Sequence, residues 1–500
     1  MQQRKIGAGL AYLNILLKNG IYLVYTPLLL RLVGKADYGI YQLTSQLVSS
    51  LTLLALGFSG AYVHFYWVEK KKSEKAVALL NGLYLKIFSM VGVASIVAGT
   101  ILITFSKALF GSSFTDSELA TTKVMLSLMV LNIAITFVSS VFDSYIAANQ
   151  RFLFQQTRIM VTTLLQPIIV IPGILLGFGV IMISIVQLAF SIILLIANAN
   201  FARKQLKMKF AFGKGSGLLF KSVISFSGIL LINDAVDLIN NNLPGVLTGS
   251  ILGPGAVAVY AIVIQIRNIF IQLSTAFSSV FIPRVNELVS EGATDEQLTD
   301  LMINVGKSQF SILIFVYGGF VVAGKWFIQQ WAGNNFGMAY WMLVVVMLPL
   351  LVPLSQNLGL EIQRAKNKHA VRSWVLGVFA VLNIGITYIS IKVFGVSGSV
   401  TGYVVSILVG NGVAINLYNH FMVGLNMVKY WSKMLPIMFF SFVSIIAAEL
   451  LKLVVPGDLF MQTSVGVFVY VVLFAVLFWF FVLSKDEKNQ IMHGVKKFIK

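Results

Sequence analysis

The sequence predicts an all-α integral membrane protein of fourteen transmembrane helices with both termini on the cytoplasmic side. Three observations predict it. Apolar stretches of the roughly 20 residues needed to cross a bilayer recur along all 500 residues. Only 11% of the residues are charged and 58% are hydrophobic, against about 25% charged in a soluble domain. The lysines and arginines concentrate in alternate segments between the apolar stretches, as the positive-inside bias requires.

Taken in order, the spans are Gly9–Leu32, Tyr38–Val63, Val77–Phe105, Val124–Ala148, Ile159–Leu176, Val180–Ala199 and Leu219–Leu243. Then follow Ala256–Ile282, Ile303–Ala323, Met338–Leu360, Val371–Ile391, Val396–Asn419, Met434–Leu453 and Thr463–Leu483. The first runs past Leu30 without a small-residue cleavage pattern, so it reads as a retained span and not a signal peptide. Spans five and six are separated only by Gly177, Phe178 and Gly179. With the N-terminus inside, 27 lysines and arginines fall in inner segments and 7 in outer loops, with Lys18, Lys86 and Arg267 left inside spans. That alternation calls for an even number of spans. It also disposes of a nucleic-acid reading of the +19 net charge, because the cations line no single groove. Tyr62, Phe65, Tyr66, Trp67, Trp326 and Trp331 lie at span ends and read as an interfacial belt.

The absence of cysteine excludes disulfides, thiolate metal sites and cysteine nucleophiles. The four histidines are not paired at metal-ligand spacing, so no metal site is expected. The largest loops, around Phe201–Gly217 and Pro283–Met302, are too short for a catalytic module. No catalytic residue is expected, and the enzyme class is set aside.

The two halves share an ordered set of matches. The segment Gly34 to Tyr41 aligns with Gly253 to Tyr260, an offset of 219 (253 minus 34). The same offset pairs Asn14 with Asn233, Gln46 with Gln265, and Phe58-Ser59 with Phe277-Ser278, while Ala148-Asn-Gln150 resembles Ala365-Lys-Asn367. Spans one to six and seven to twelve then form two six-helix lobes related by a pseudo-twofold along the membrane normal, with two helices appended. The expected divisions are residues 1–210, 211–425 and 426–500.

Ionisable residues within spans are functional candidates by default. Lys18 lies near the middle of span one, and its counterpart under the offset is Asp237, with Asp234 one turn earlier; Arg267 is central in span eight. Arg267 and Lys18 are the expected contacts of an anionic head group, with Lys86 at the inner vestibule. Asp234 and Asp237 are counter-ions or sites of H⁺ or Na⁺ coupling. The plain alternative is that Lys18–Asp237 and Arg267–Asp234 are structural pairs. Asn14, Gln46, Asn233, Asn240 and Gln265 are either sugar contacts or interhelical hydrogen bonds. The run Asn240–Asn242 before Pro244 favours a locally broken span. Asp143 and Glu361, at the ends of spans four and ten, are gate candidates or partners of Arg151 and Arg364.

The stretch from Thr26 to Tyr41, with Leu56-Gly-Phe-Ser-Gly60 and Ala147-Ala-Asn-Gln-Arg151, resembles the bacterial polysaccharide transporters, the oligosaccharide-lipid flippases of the MOP superfamily. The resemblance implies a fold with a V-shaped cavity between two lobes and a site in the bacterial cytoplasmic membrane. It also implies alternating-access movement of an undecaprenyl-pyrophosphate-linked oligosaccharide from the inner to the outer leaflet. The expected partners are that lipid-linked oligosaccharide, membrane lipids and polysaccharide polymerase machinery, with the chain acting as a monomer and without a resident cofactor. A peptidoglycan-precursor flippase ranks second, because the first lobe lacks a dense set of arginines. A MATE-like H⁺/Na⁺-coupled small-molecule exporter ranks third, because it favours an acidic, aromatic pocket.

Overall fold

The computed structural model describes the backbone of residues 2–55, 57–213, 216–485, 487–489 and 492. It describes the side chains of these residues except 2–8, 12, 216–219, 225–234 and 237. Among the described residues there is no strand, and eleven helices are long and apolar enough to cross a membrane. Two of these exceed a single crossing: Gly9–Lys70 has 62 residues and Ala370–Val423 has 54. A straight 62-residue helix would be about 90 Å long, roughly three times the hydrocarbon core. Each of the two contains a glycine at positive φ, Gly34 at 83° and Gly395 at 62°, where the chain can turn.

The chain forms two compact units, Met1–Ala261 with Tyr388–Ser399, and Ile262–Thr387 with Val400–Lys500. The first contains α1 (Gln2–Ser50), α2 (Phe58–Lys70), α3 (Glu74–Phe110), α4 (Asp116–Ala148), α5 (Phe152–Gly173), α6 (Ile181–Asn200) and α7 (Ser216–Leu252). α8 (Pro254–Ser279) begins in the first unit and continues into the second. The second unit holds α9 (Ile282–Ser290), α10 (Asp295–Trp331), α11 (Gly337–Ser355), α12 (Asn357–Ala365) and most of α13 (Ala370–Phe394). It closes with α14 (Thr401–Val405), α15 (Asn416–Tyr418), α16 (Met427–Val454) and α17 (Leu459–Leu477).

Helix starts follow from local chemistry. Ser73 Oγ accepts from Ala76 N to open α3, and capping boxes at Thr115–Glu118 and Thr294–Gln297 open α4 and α10. The split between spans five and six falls at Gly177 and Gly179, with φ of 98° and 56°.

In the first unit, α4 packs against α1, α2, α3 and α6. Tyr62 and Tyr66 turn inward there. They are 0% and 2% exposed, with Tyr62 4.8 Å from the Tyr84 ring and Tyr66 5.7 Å from that of Tyr145. This corrects the belt reading for both residues, because four tyrosines on α2, α3 and α4 bury their rings against one another; Trp67 stays exposed. In the second unit, α10 is central. The last two helices dock on it through Tyr470 Oη, which donates to Phe315 O at 2.9 Å, and Lys452 Nζ, which donates to Val322 O at 2.8 Å.

The offset between the halves returns in local backbone geometry. Gly34 and Gly253 have φ of 83° and 84°. Gln150 and Asn367, 217 residues apart (367 minus 150), adopt 59° and 56°, an uncommon conformation for residues other than glycine. Both close the same hook. Gln150 N donates to Ala147 O and Arg151 N to Ile146 O, while Asn367 N donates to Arg364 O and Lys368 N to Gln363 O. A third pair, Lys207 and Gly424, is again 217 apart (424 minus 207), with φ of 52° and 92°. α3 and α10 each have 37 residues.

Candidate functional site

Span two was expected as one helix, and it is broken. α1 ends at Ser50, a tight turn occupies Leu51–Ala55, and α2 starts after Gly57, whose φ is 66°. Hydroxyls take up carbonyls before the break: Ser49 Oγ and Ser50 Oγ donate to Gln46 O, and Thr52 Oγ1 donates to Ser49 O. Non-helical backbone at membrane depth is tolerated where it is buried in protein or lines a cavity. Here it lines one. A cavity of about 660 Å³ is bounded by Ser49, Thr52, Leu53, Ala55, Gly57, Phe58, Ser59 and Gly60, with Leu238, Asn241 and Asn242 of α7. The volume suits a small polar head group.

The break expected at Asn240–Asn242 does not occur, and α7 is continuous from Ser216 to Leu252 through Pro244. The run is instead tied to its surroundings, with Asn242 Nδ2 donating to Ser49 Oγ at 2.8 Å, and Thr248 Oγ1 donates to Pro244 O at 2.7 Å. Asn242 is eleven residues from the turn at Gly253, a depth of about 16 Å along the helix.

Between the cavity and that turn α1 packs against α7, and just past the turn it meets the first residue of α8. A Cβ on Gly39 would stand 1.8 Å from Pro254 O, one on Gly249 would stand 3.0 Å from Leu43 Cδ1, and one on Gly245 would stand 1.8 Å from Gln46 Oε1. Gly245-Val-Leu-Thr-Gly249 is a small-xxx-small pattern, and here its glycines make room for the side chains of Gln46 and Leu43 of α1.

The other candidates divide between the units. Asn14, on α1, is buried and donates from Nδ2 to Gln156 O at 2.9 Å and Gln156 Oε1 at 2.8 Å, joining α1 to α5. Asn14→Leu is expected to cost about 1 kcal/mol of stability and leave transport intact; transport lost at unchanged melting temperature would return Asn14 to the sugar contacts. Lys18 is exposed, its Nζ 5.9 Å from the Tyr22 ring. Lys86 is exposed on α3, its Nζ 5.2 Å from the Phe212 ring. Gln46 and Asn240 are half-buried. The side chains of Asn233, Asp234 and Asp237 lie outside the described residues, and so do their expected pairings with Lys18 and Arg267.

Asp143 pairs with Arg158 and not with Arg151. Arg158 Nη2 is 2.8 Å from Asp143 Oδ1, and Gln155 Nε2 donates to the same oxygen at 3.0 Å. Gln155 and Arg158 are one turn apart on the face of α5 that meets α4, whereas Arg151 precedes the helix in the hook. Arg158 Nη1 also donates to Asn198 Oδ1, and Asn198 Nδ2 donates to Ser139 Oγ, so the group ties α4, α5 and α6. Glu361 pairs with Arg364 at 2.8 Å, as expected.

In the second unit, Gln265 is half-buried on α8, and Arg267 is 1% exposed, among the largest fully buried side chains. Its guanidinium stands 4.6 Å from the centroid of the Tyr403 ring, and Nη2 donates to Asn268 Oδ1 at 3.0 Å. The planar cation on an aromatic face supplies part of what desolvation removes. Tyr403 was not foreseen, since no local pattern links it to a residue 136 positions away (403 minus 267).

The helices and the broken span define a multi-pass membrane protein of the fold shared by MurJ and the MATE transporters. A solved lipid II flippase, MurJ, in an inward closed conformation superposes with a TM-score of 0.73 at 15% identity, covering 95% of this chain and 98% of that one. An inward-facing multidrug resistance MATE family transporter of the MOP superfamily gives 0.58 at 15% identity, covering 82% and 93%. The MATE multidrug transporter DinF-BH gives 0.59 at 14% identity, covering 82% and 95%. The pattern of the polysaccharide biosynthesis protein family matches residues 7–289, and the chain belongs to that family. No curated protein matches the sequence.

Proposed function

We propose that the protein is a flippase that moves an undecaprenyl-pyrophosphate-linked oligosaccharide from the inner to the outer leaflet of the bacterial cytoplasmic membrane by alternating access. The observation that carries the reading is the polysaccharide biosynthesis family pattern over residues 7–289, on a chain whose fold resembles that of a lipid flippase along nearly its whole length. The polar cavity at the broken span supports it. Among the described residues, serine, threonine and asparagine side chains line that cavity together with Leu53, Phe58 and Leu238. Hydroxyls and amides suit sugars. An apolar groove of about 540 Å³ runs between α1 and α5, from Leu13 to Leu28 and past Pro167 and Ile171. Its apolar lining suits a lipid tail.

The topology belongs to the same proposal. Fourteen crossings follow if Gly9–Lys70 and Ala370–Val423 each cross twice and α7 is added to the eleven helices. Both termini then lie on one side of the membrane, which the loop charges favour as the cytoplasmic one, and the two repeated lobes belong to the same proposal. Lys18 contacts the pyrophosphate, Lys86 its entry, and Asn240 and Gln46 the sugar, while Arg267, buried over Tyr403 in this conformation, meets the pyrophosphate only once the transport cycle uncovers it. Asp234 and Asp237 are the coupling sites. Asp143 and Glu361 serve as ion-paired hinges at helix ends. A peptidoglycan-precursor flippase is the second reading, favoured by the likeness to the lipid II flippase.

Deleting the gene is expected to accumulate lipid-linked oligosaccharide on the cytoplasmic leaflet and to strip surface polysaccharide. Normal surface polysaccharide in a strain without a second flippase would refute the proposal. Rescue of a peptidoglycan-precursor flippase mutant by this chain would establish the second reading in its place.

A further inference from the structure

Where α2 and α4 end and α3 begins, the first unit contains a second cleft, of about 320 Å³. Its rim carries Lys70, Lys207, Lys209 and Glu74, over a floor that includes Tyr66, Asn81, Tyr145 and Asn149. Lys70 Nζ donates to Tyr66 Oη at 3.1 Å. Among the described residues, none of the three lysines forms an ion pair within 4.0 Å. Three cations against one carboxylate leave the rim positive, a field that concentrates anions.

The rim is also built rather than incidental. Asn81 Nδ2 donates to Lys209 O at 2.8 Å, Ala211 N to Ala78 O at 2.9 Å and Met208 N to Ala202 O at 2.9 Å, which stitches segment 207–211 to α3 and α6. Gly82 admits the segment, since a Cβ there would stand 2.1 Å from Ala211 O. Lys207 is held at φ 52°, a conformation that disfavours any residue with a Cβ.

The corresponding place in the second unit shows what this geometry holds. Gly424 occupies the position of Lys207, in the same hook, with Leu425 N donating to Asn419 O at 2.9 Å. Asp295, the first residue of α10 as Glu74 is of α3, presses its carboxylate on Gly424, where a Cβ would stand 1.9 Å from Oδ2. Lys366, the counterpart of Asn149, pairs with that carboxylate at 2.5 Å. The second half thus fills the place with its own anion on a lysine. In the first half, glycine is replaced by lysine at a conformational cost, and the cleft is open.

We propose that this cleft binds a phosphate-bearing anion, either the head group of an anionic phospholipid or free phosphate. It stands apart from the cavity at the broken span and does not depend on what the protein transports. Its position at helix ends, beside the exposed Trp67, fits a head group at the membrane face.

The test is binding to the purified full-length chain in nanodiscs and detergent, with phosphatidylglycerol, phosphatidylcholine and inorganic phosphate as probes, read by thermal shift and native mass spectrometry. The variant is Lys207→Gly with Lys209→Gln. Glycine suits φ 52°, so the melting temperature without probe is expected to hold or rise. Wild type should prefer phosphatidylglycerol to phosphatidylcholine, and the variant should bind it about tenfold more weakly. Competition by millimolar phosphate would assign the site to the phosphate group itself; binding of phosphate without phosphatidylglycerol would assign it to the soluble ion. Equal affinity of wild type and variant for every probe would overturn the proposal.

Discussion

Arg267→Glu is expected to abolish transport and to lower the amount of folded protein recovered from membranes. The guanidinium is buried over Tyr403 with Asn268 beside it. A carboxylate there would meet the negative face of the ring and would be a buried anion without its cation. Leaving a buried charge uncompensated costs about 3–5 kcal/mol, a large share of a typical folding free energy of about 5–15 kcal/mol. Arg267→Met separates structure from transport. A methionine fills much of the volume without a charge to desolvate, so it is expected to fold near wild-type yield. If Arg267 grips the pyrophosphate, that folded variant loses transport at least about tenfold, since charge-assisted hydrogen bonds are worth about 1.5–3 kcal/mol. Tyr403→Phe keeps the aromatic face and should behave like wild type, while Tyr403→Leu should lose about 0.5–2 kcal/mol. Fluorescence-detected gel filtration measures the fold, and complementation of a flippase deletion measures transport. Full activity in Arg267→Met would remove Arg267 from the substrate.

The second large effect is expected at Gly39. A single methyl there would stand 1.8 Å from Pro254 O, and the obstacle is backbone, so no rotamer relieves it. Gly39→Ala must push α1 away from the start of α8 at the α7–α8 turn, straining the neighbouring Leu43–Gly249 and Gln46–Gly245 contacts with α7. Overpacking of this kind costs about 1–3 kcal/mol. Under the proposed topology these contacts close the outer side of the cavity, so transport should fall further than stability. Gly20→Ala, where nothing lies within 4 Å of the added Cβ, is the control and should melt at or above wild type. Wild-type melting in Gly39→Ala would mean that α1 does not meet the backbone at the start of α8.

The all-helical, multi-pass architecture was legible in the sequence because bilayer thickness sets the length of the apolar runs. The separation at Gly177 and Gly179 could be read from glycine alone. The match of Gly34 with Gly253 could be read because both turns need the same positive φ. The break in span two was not legible. Leu51-Thr-Leu-Leu-Ala55 is as apolar as a helix interior, and only Gly57 hints at a turn. The break expected at Asn240–Asn242 is absent, and Asn242, polar within an apolar span, finds a partner on α1. Partners distant in sequence, such as Tyr403 for Arg267 or Arg158 for Asp143, follow from packing, which no local pattern encodes. The glycines at 245 and 249 did carry a signal, their spacing of four, and it points to the α1–α7 contact.

The most direct test of the central claim is translocation by the purified chain in proteoliposomes containing a fluorescent undecaprenyl-pyrophosphate-linked oligosaccharide. A membrane-impermeant glycosidase reports the accessible fraction over time. In empty liposomes about half of the label should remain protected; with the protein present, nearly all should become accessible, and Gly39→Ala should restore protection. A protected fraction unchanged by the wild-type protein, under conditions where a known flippase removes it, would contradict the account.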